Sequence, residues 1–374
     1  MRLCQPDYYA DFHCLGVDCG DNCCIGWEID IDDETNDRYQ ALPCPLGDRL
    51  RAGISDGRPG HFLLRDGRCP FLNQNNLCDI IETMGEKSLC QICADHPRFY
   101  TWLDGRREAG VGLCCEAAGR LVFASARPAA FTEHEADEEE APSGIDPVEQ
   151  AELLRARQTA FALLQNRRLS IGRRIQRLLY LSSDWQDDLE MGRPQNMGRR
   201  MEPAVPAKPA KAASSDVWRE LVSLYREMEP IDPGWPKLLD RLERGLPDLL
   251  ESVPAFLREL GPRLYEYEHL AVYYVYRYFM GAVFDGELLP RVKLAAASLL
   301  MQLLLDTQRW RKTGRFTLED RIDRAKAYSK ELEYCEENLE ALLAASWELD
   351  CLSVERLQAM LEAFTYGEDG TCKR

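Results

Sequence analysis

Twelve of the fifteen cysteines in this 374-residue chain fall before residue 116. They are Cys4, Cys14, Cys19, Cys23, Cys24, Cys44, Cys69, Cys78, Cys90, Cys93, Cys114 and Cys115, and only Cys335, Cys351 and Cys372 lie beyond. So uneven a distribution predicts a separate N-terminal module whose fold depends on its thiols. No apolar run of signal-peptide length opens the sequence, so the expected compartment is the reducing cytoplasm. There, disulfides are the weaker explanation of clustered cysteines and metal thiolates the stronger.

The spacing agrees. Cys14, Cys19, Cys23 and Cys24 place four sulfurs within eleven residues, among Gly16, Gly20 and Gly26, which let the backbone curl. Cys69 and Cys78 bracket the Asn-rich turn CPFLNQNNLC. Cys90 and Cys93 form CQIC, a gap that lets both sulfurs reach one metal. These eight are the candidate ligands, and thiolate donors suit zinc and iron–sulfur equally. Only five histidines are present. His96, near Cys93, is the one tempting imidazole ligand, with packing as its more ordinary role.

The chain is therefore expected to be mainly α, with a Cys-rich, loop-rich N-terminal metal-binding module followed by an irregular all-α helical domain. The module spans 1–128, with short pieces such as WEIDID and RLVFA. An acidic linker follows over 129–150, centred on EHEADEEEAPSG. Residues 151–374 then turn helical. Leu153, Leu154, Arg157, Phe161 and Leu164 fall at spacings of three and four, as do Ile171, Ile175, Leu178 and Leu179 after a Ser170 cap. A Pro/Ala-rich stretch at 192–216 reads as a mobile loop. Further helices are expected near 217–228, 235–250, 263–284, 288–306, 317–345 and 352–365, punctuated by proline and glycine.

With 63 acidic against 46 basic residues and a formal charge of −17, nucleic acid is not an expected partner. The most apolar segment, Leu294–Leu305, falls short of the roughly 20 residues that cross a bilayer, so no membrane association is expected.

Six of the fifteen tyrosines lie between Tyr265 and Tyr278. Tyr267, Leu270, Tyr274 and Tyr278 share one helical face, with Arg277 and His269 nearby. A buried aromatic helix is the plain explanation. The sharper one is an aromatic pocket that holds an ammonium group against ring faces, with Tyr274, Tyr278 and Arg277 as candidate catalytic residues. Glu266, Glu268 and Asp285 are candidate helpers in desolvating or deprotonating that amine.

The blocks FHCLGVDCGDNCCIGWEIDID, GRCPFLNQNNLCDI, GEKSLCQICADHPRF and LCCEAAGRL resemble the flagellin lysine-N-methylase family. So do DGELLPRVKLAAASLL and YSKELEYCEENLEAL. The resemblance spans both halves of the chain. It implies methyl transfer from S-adenosylmethionine to the ε-amines of surface lysines on flagellin. It also implies a [4Fe-4S] cluster rather than zinc, with Cys14, Cys19, Cys23, Cys24, Cys69, Cys78, Cys90, Cys93 and Cys114 as the matching thiols. Nine exceed the four that one cubane takes, so some have other roles.

Departures from the family's pattern are Cys115, where a proline is expected, and Cys335, where a serine is usual. The 192–216 stretch has no counterpart. The third sulfur of a radical-SAM CxxxCxxC motif is missing, because Gly26 stands in its place. GVGLCC at 110–115 lacks the glycine spacing of a dinucleotide-binding turn. The cysteine centre serves either catalysis or folding, and the rival reading of the whole chain is a non-enzymatic metal-binding adaptor. A redox module is the third.

Overall fold

The computed structural model describes residues 1–26, 29–136, 144–199 and 212–365. The chain opens with β1 (Arg2–Pro6), followed by the small hairpin strands β2 (Asp30–Ile31) and β3 (Gly60–His61) around α1 (Asp33–Gln40) and α2 (Pro45–Gly53). Then come α3 (Asp79–Met84), α4 (Gln91–Asp95), β4 (Arg98–Leu103), β5 (Arg106–Val111), α5 (Glu116–Phe123) and β6 (Phe131–Glu135). The helical part begins with α6 (Pro147–Leu164), α7 (Ile171–Glu190), α8 (Ser215–Glu227), α9 (Trp235–Arg244) and α10 (Leu246–Leu260). It ends with α11 (Tyr265–Tyr278), α12 (Ala282–Asp285), α13 (Leu288–Thr313), α14 (Leu318–Glu333), α15 (Glu336–Glu348) and α16 (Val354–Leu361).

The mainly helical class is as expected, but the N-terminal part is more ordered than loops alone. Four strands form a mixed sheet in the order β4-β5-β1-β6, with β1 and β5 parallel and the other pairs antiparallel. RLVFA lies within α5 rather than in a strand. The chain between β1 and β4 is an insertion with a small core of its own, which includes Ile31, Tyr39, Leu50, Phe62, Phe71, Cys69 and Cys90.

The sheet belongs with the helices. Leu103, Leu113, Val122 and Phe123 share the large core of α6–α16. Glu108 of β5 is fully buried against Arg157 of α6, and Tyr276 of α11 donates to the carbonyls of Cys4 and Ala109. The cores therefore do not divide at residue 128. Within the span expected as a linker, Phe131–Glu135 pairs with β1, because Phe131 stacks on Phe161 and Tyr276 at 4.8 and 4.6 Å. Residues 137–143 of that span lie outside the described residues, as do 200–211 of the expected 192–216 loop and Cys372. The described start of the loop is tied down, since Trp185 donates its indole N–H to the Met197 carbonyl.

Local chemistry sets the helix ends. Ser170 caps α7 as expected, and Thr317 forms a capping box with Asp320 on α14. Three expected helices are broken. Gly245 ends α9 and starts α10. α11 gives way to a tight turn at Phe279–Gly281, where a Cβ on Gly281 would stand 2.6 Å from Arg291 Nε. α14 stops at Glu333, leaving Tyr334 free to reach the Pro97 carbonyl.

α13 is the axis of the fold, packed against α7, α10, α11, α14, α15 and α16. It extends well beyond the apolar segment read from the sequence and is long and apolar enough to cross a membrane. Yet 94% of its apolar window is buried inside the protein. It also carries Ser298, Gln302 and Asp306 four residues apart on one stripe, all fully buried. These groups need partners, because an unpaired buried polar group costs roughly 1–3 kcal/mol. The tyrosines supply them. Tyr328 donates to Ser298, Gln302 donates to Tyr274, and Tyr267 donates to Asp306, which also pairs with Arg321.

Tyr267 and Tyr274 are thus core residues, as the plain explanation of the aromatic helix holds. Tyr274→Phe should therefore lower stability by about 1–3 kcal/mol by orphaning Gln302, with specific activity preserved; urea unfolding beside an activity assay reads both.

Candidate active site

Where the sheet meets the helices, the C-terminal end of α11 and the last turn of α14 enclose a buried carboxylate. The Glu333 side chain is 0% exposed. Its Oε2 accepts from Tyr273 at 2.7 Å, Tyr278 at 3.0 Å and Arg277 Nη1 at 2.9 Å, while Oε1 makes no hydrogen bond among the described residues. Arg277 also donates to the Tyr273 hydroxyl at 2.8 Å and lies 4.6 Å over the Phe99 ring, 5.3 Å over Tyr278 and 5.3 Å over Tyr334. Burial pushes the Tyr273 and Tyr278 hydroxyls well above their ordinary range, so both are neutral donors. Burial opposes the Arg277 charge, but the surrounding tyrosines and Glu333 outweigh it and hold the guanidinium protonated.

Two glycines allow this packing. A Cβ on Gly110 would strike the Phe99 ring at 2.2 Å, and one on Gly112 the Tyr334 hydroxyl at 2.2 Å.

Two cavities flank the cluster. The smaller, about 240 Å³, lies between the sheet and α11. Tyr8, Phe99, Phe131, Tyr273 and Tyr276 wall it, and Asp7 and Asp11 are exposed at its edge. His269 lines it too, with Nδ1 2.7 Å from the Val122 carbonyl and Nε2 2.9 Å from that of Arg127. The larger, about 500 Å³, opens between β4 and α11–α13 and is lined by Tyr100, Trp102, Arg277, Tyr278, Phe284 and Arg291.

Of the three expected catalytic residues, Arg277 and Tyr278 therefore meet at a cavity. Tyr274 does not, being enclosed in the core. The candidate helpers are spoken for: Glu266 pairs with Arg263 and Arg321, Glu268 with Arg167 and Arg174, and Asp285 with Arg291. Sequence reasoning passed over Glu333, Tyr334, Tyr273 and Phe99. Glu333 and Tyr334 lie in the middle of the helix expected over 317–345, and both the break there and their convergence on Arg277 are tertiary facts.

The thiols lie alongside. Cys24, Cys44, Cys69, Cys78, Cys90 and Cys93 pack in or against the small core of the insertion. A hydrogen bond from Cys24 draws the Cys23 thiol down to about 7, while the same contact, burial and the neighbouring Cys69 and Cys78 push Cys24 up. Cys90 and Cys93 form a second such pair, Cys90 lowered and Cys93 raised. Burial lifts Cys69 to about 11, with Cys78 and Cys90 adding to it. Cys14 and Cys19 lie on the loop that Glu116 holds through the Gly20 N–H, with Cys115 near Cys19. Asp21 fastens that loop to Lys326 and Lys330 of α14. Among the described residues no three His, Cys, Asp or Glu side chains close around a single ion position. The donors stand as pairs rather than as a finished shell.

His96 joins the two regions. It follows Cys93 on the chain, stands 3.9 Å from the Cys114 sulfur and meets the Tyr334 ring edge-on.

Residues 157–360, more than half of the chain, match the family described as the FliB lysine N-methylase C-terminal domain. The chain belongs to this family. It is 27% identical over 131 residues to the flagellar biosynthetic protein FliU of Salmonella muenchen, covering 33% of this chain and 78% of that protein. It is 27% identical over 138 residues to the lysine-N-methylase of Salmonella typhimurium (strain LT2), covering 33% of each chain. The lysine-N-methylase of Salmonella choleraesuis (strain SC-B67) matches equally, at 27% over 131 residues and 33% of each chain. The alignment thus spans only about a third of these lysine-N-methylases. No solved structure matches.

Burial lowers His96 from 6.5 to about 4. It is therefore neutral in the folded protein while the unfolded chain takes up a proton. The stability this represents, about 3 kcal/mol, is fully present above pH 6.5 and is lost as pH falls toward 4. In His96→Gln the difference between urea midpoints at pH 7 and pH 4.5 should shrink accordingly.

Proposed function

We propose that this chain is a protein-lysine N-methyltransferase that acts in the cytoplasm on surface lysines of flagellin, with S-adenosylmethionine as methyl donor. Family membership supports lysine methylation. The smaller cavity supports a site for the ε-amine: an aromatic slot with acids at its edge, walled on one side by α11 within the matched segment.

A lysine with its ordinary pKa near 10.4 arrives charged and must become neutral to act as nucleophile. Asp7 and Asp11 attract the ammonium. Tyr8, Phe99, Phe131 and Tyr276 then strip its water and disfavour the charge, so the proton leaves to solvent at the edge. The amine lone pair attacks the sulfonium methyl carbon, the C–S bond breaks with its electrons returning to sulfur, and the methylated ammonium then releases a proton.

The thiols fit a metal by donor chemistry. Cys24, Cys69, Cys78, Cys90 and Cys93 in or against one small core, with Cys23 hydrogen-bonded to Cys24, supply more than the four sulfurs a [4Fe-4S] cluster or a zinc ion takes. Bound there, the metal contributes folding free energy to an insertion with little apolar core. Cys14 and Cys19 lie beside that group on the Asp21 loop.

Flagellin co-expressed with this protein should gain whole methyl increments on lysines by intact mass. Unchanged mass, with the protein soluble and metal-loaded, would point instead to the adaptor. Cys69→Ser should lose metal and solubility together, whereas Cys351→Ser should keep its metal content by elemental analysis.

A further inference from the structure

We infer that the larger cavity, between β4 and α11–α13, is the binding site of the methyl donor, a molecule that joins a purine nucleoside to an amino-acid carboxylate through its sulfonium. This rests on the lysine-methylation reading and locates the half of it that no motif marks. The cavity holds about 500 Å³, within the range of pockets that enclose drug-sized ligands. The smaller holds about 240 Å³, suited to a single side chain.

Its walls are of two kinds. Tyr100, Trp102, Tyr278 and Phe284 offer rings on which a purine can stack. Trp102 is 45% and Phe284 60% exposed, in a fold that encloses Tyr274 completely. Arg277 and Arg291 offer guanidinium groups. Arg277 uses only Nη1, for Tyr273 and Glu333, so Nε and Nη2 make no hydrogen bond among the described residues. Such an edge matches the two oxygens of a carboxylate. Arg291 is held by Asp285 at 2.7 Å and seated against Gly281, which has no side chain to displace it.

No aspartate or glutamate lines this cavity among the described residues, whereas Asp7 and Asp11, beside a single arginine, Arg127, line the other. The contrast sorts the two substrates: the cationic lysine to the acid-edged slot, the carboxylate-bearing donor to the arginine-lined one. Phe99 lines the smaller cavity and packs under Arg277, which lines the larger.

The probe is S-adenosylhomocysteine, titrated calorimetrically into the full-length protein. Phe284→Ala and Trp102→Ala alter exposed rings and leave the core intact. Each should weaken binding about tenfold, the weight of one lost stacking ring. Tyr8→Ala, in the other cavity, should leave the affinity unchanged. Affinity retained in both ring variants, or lost in Tyr8→Ala, or no binding to the wild-type protein, overturns the assignment. Flagellin mass keeps the two readings apart. Methylated flagellin with affinity retained in Phe284→Ala sinks the site and leaves the activity. Affinity lost in Phe284→Ala with flagellin never methylated upholds the site and sinks the substrate.

Discussion

The Arg277–Glu333 pair holds the molecule's two halves in one arrangement. It sits where β4, α11 and α14 converge, with Tyr273, Tyr278, Tyr334 and Phe99 around it. A buried ion pair is a poor source of stability when set against apolar packing, but breaking it by removing one partner costs roughly 3–5 kcal/mol. Such a pair specifies geometry. Three donors on Glu333 Oε2 fix where α11 ends relative to α14, and the arginine stacked on Phe99 fixes β4 against both. The cavities on either side inherit their shapes from that registration.

The same logic runs through the core. Polar groups on α13 answer tyrosines and an arginine from α11 and α14, so the helices cannot slide without orphaning a buried donor or acceptor. Glu108 and Arg157 do this for the sheet against α6. The cysteine insertion is different. Its apolar core is small, its sulfurs are drawn up in pairs, and it is tied to the rest through Asp21, which pairs with lysines of α14, and through His96 near Cys114. One turn of α14 thus touches both regions, with Lys330 reaching the thiol loop and Glu333 holding Arg277, which lines the larger cavity.

What the sequence disclosed follows from what is local. The thiol blocks, the helical period, the Ser170 cap and the presence of Arg277 and Tyr278 at a cavity could be read from spacing. The role of Tyr274 could not, because Tyr274 and Tyr278 differ by one helical turn on the same face. Only the partner helix decides which meets Gln302 and which meets Glu333. The four-stranded sheet was hidden for a related reason. β1 and β5 are parallel neighbours about a hundred residues apart in the chain, and no short-range pattern records such a pairing. Glu333 looked like one more acid in an acidic chain until Arg277 gave it a position.

Under the proposed function, methylation chemistry gives a reason for the different linings of the two cavities. An enzyme that only held a lysine would surround it with carboxylates and keep it protonated. One that alkylates it must attract the cation and then discard the charge. Acids at the edge and rings in the throat separate those two tasks in space, since attraction acts at range and desolvation only on contact. Glu333 does not line the slot; Tyr273 stands at that wall, its hydroxyl already engaged with Glu333, Arg277 and the Leu113 N–H. The role of Glu333 is to anchor Arg277 through the ion pair, with Tyr273 and Tyr278 donating to the same oxygen.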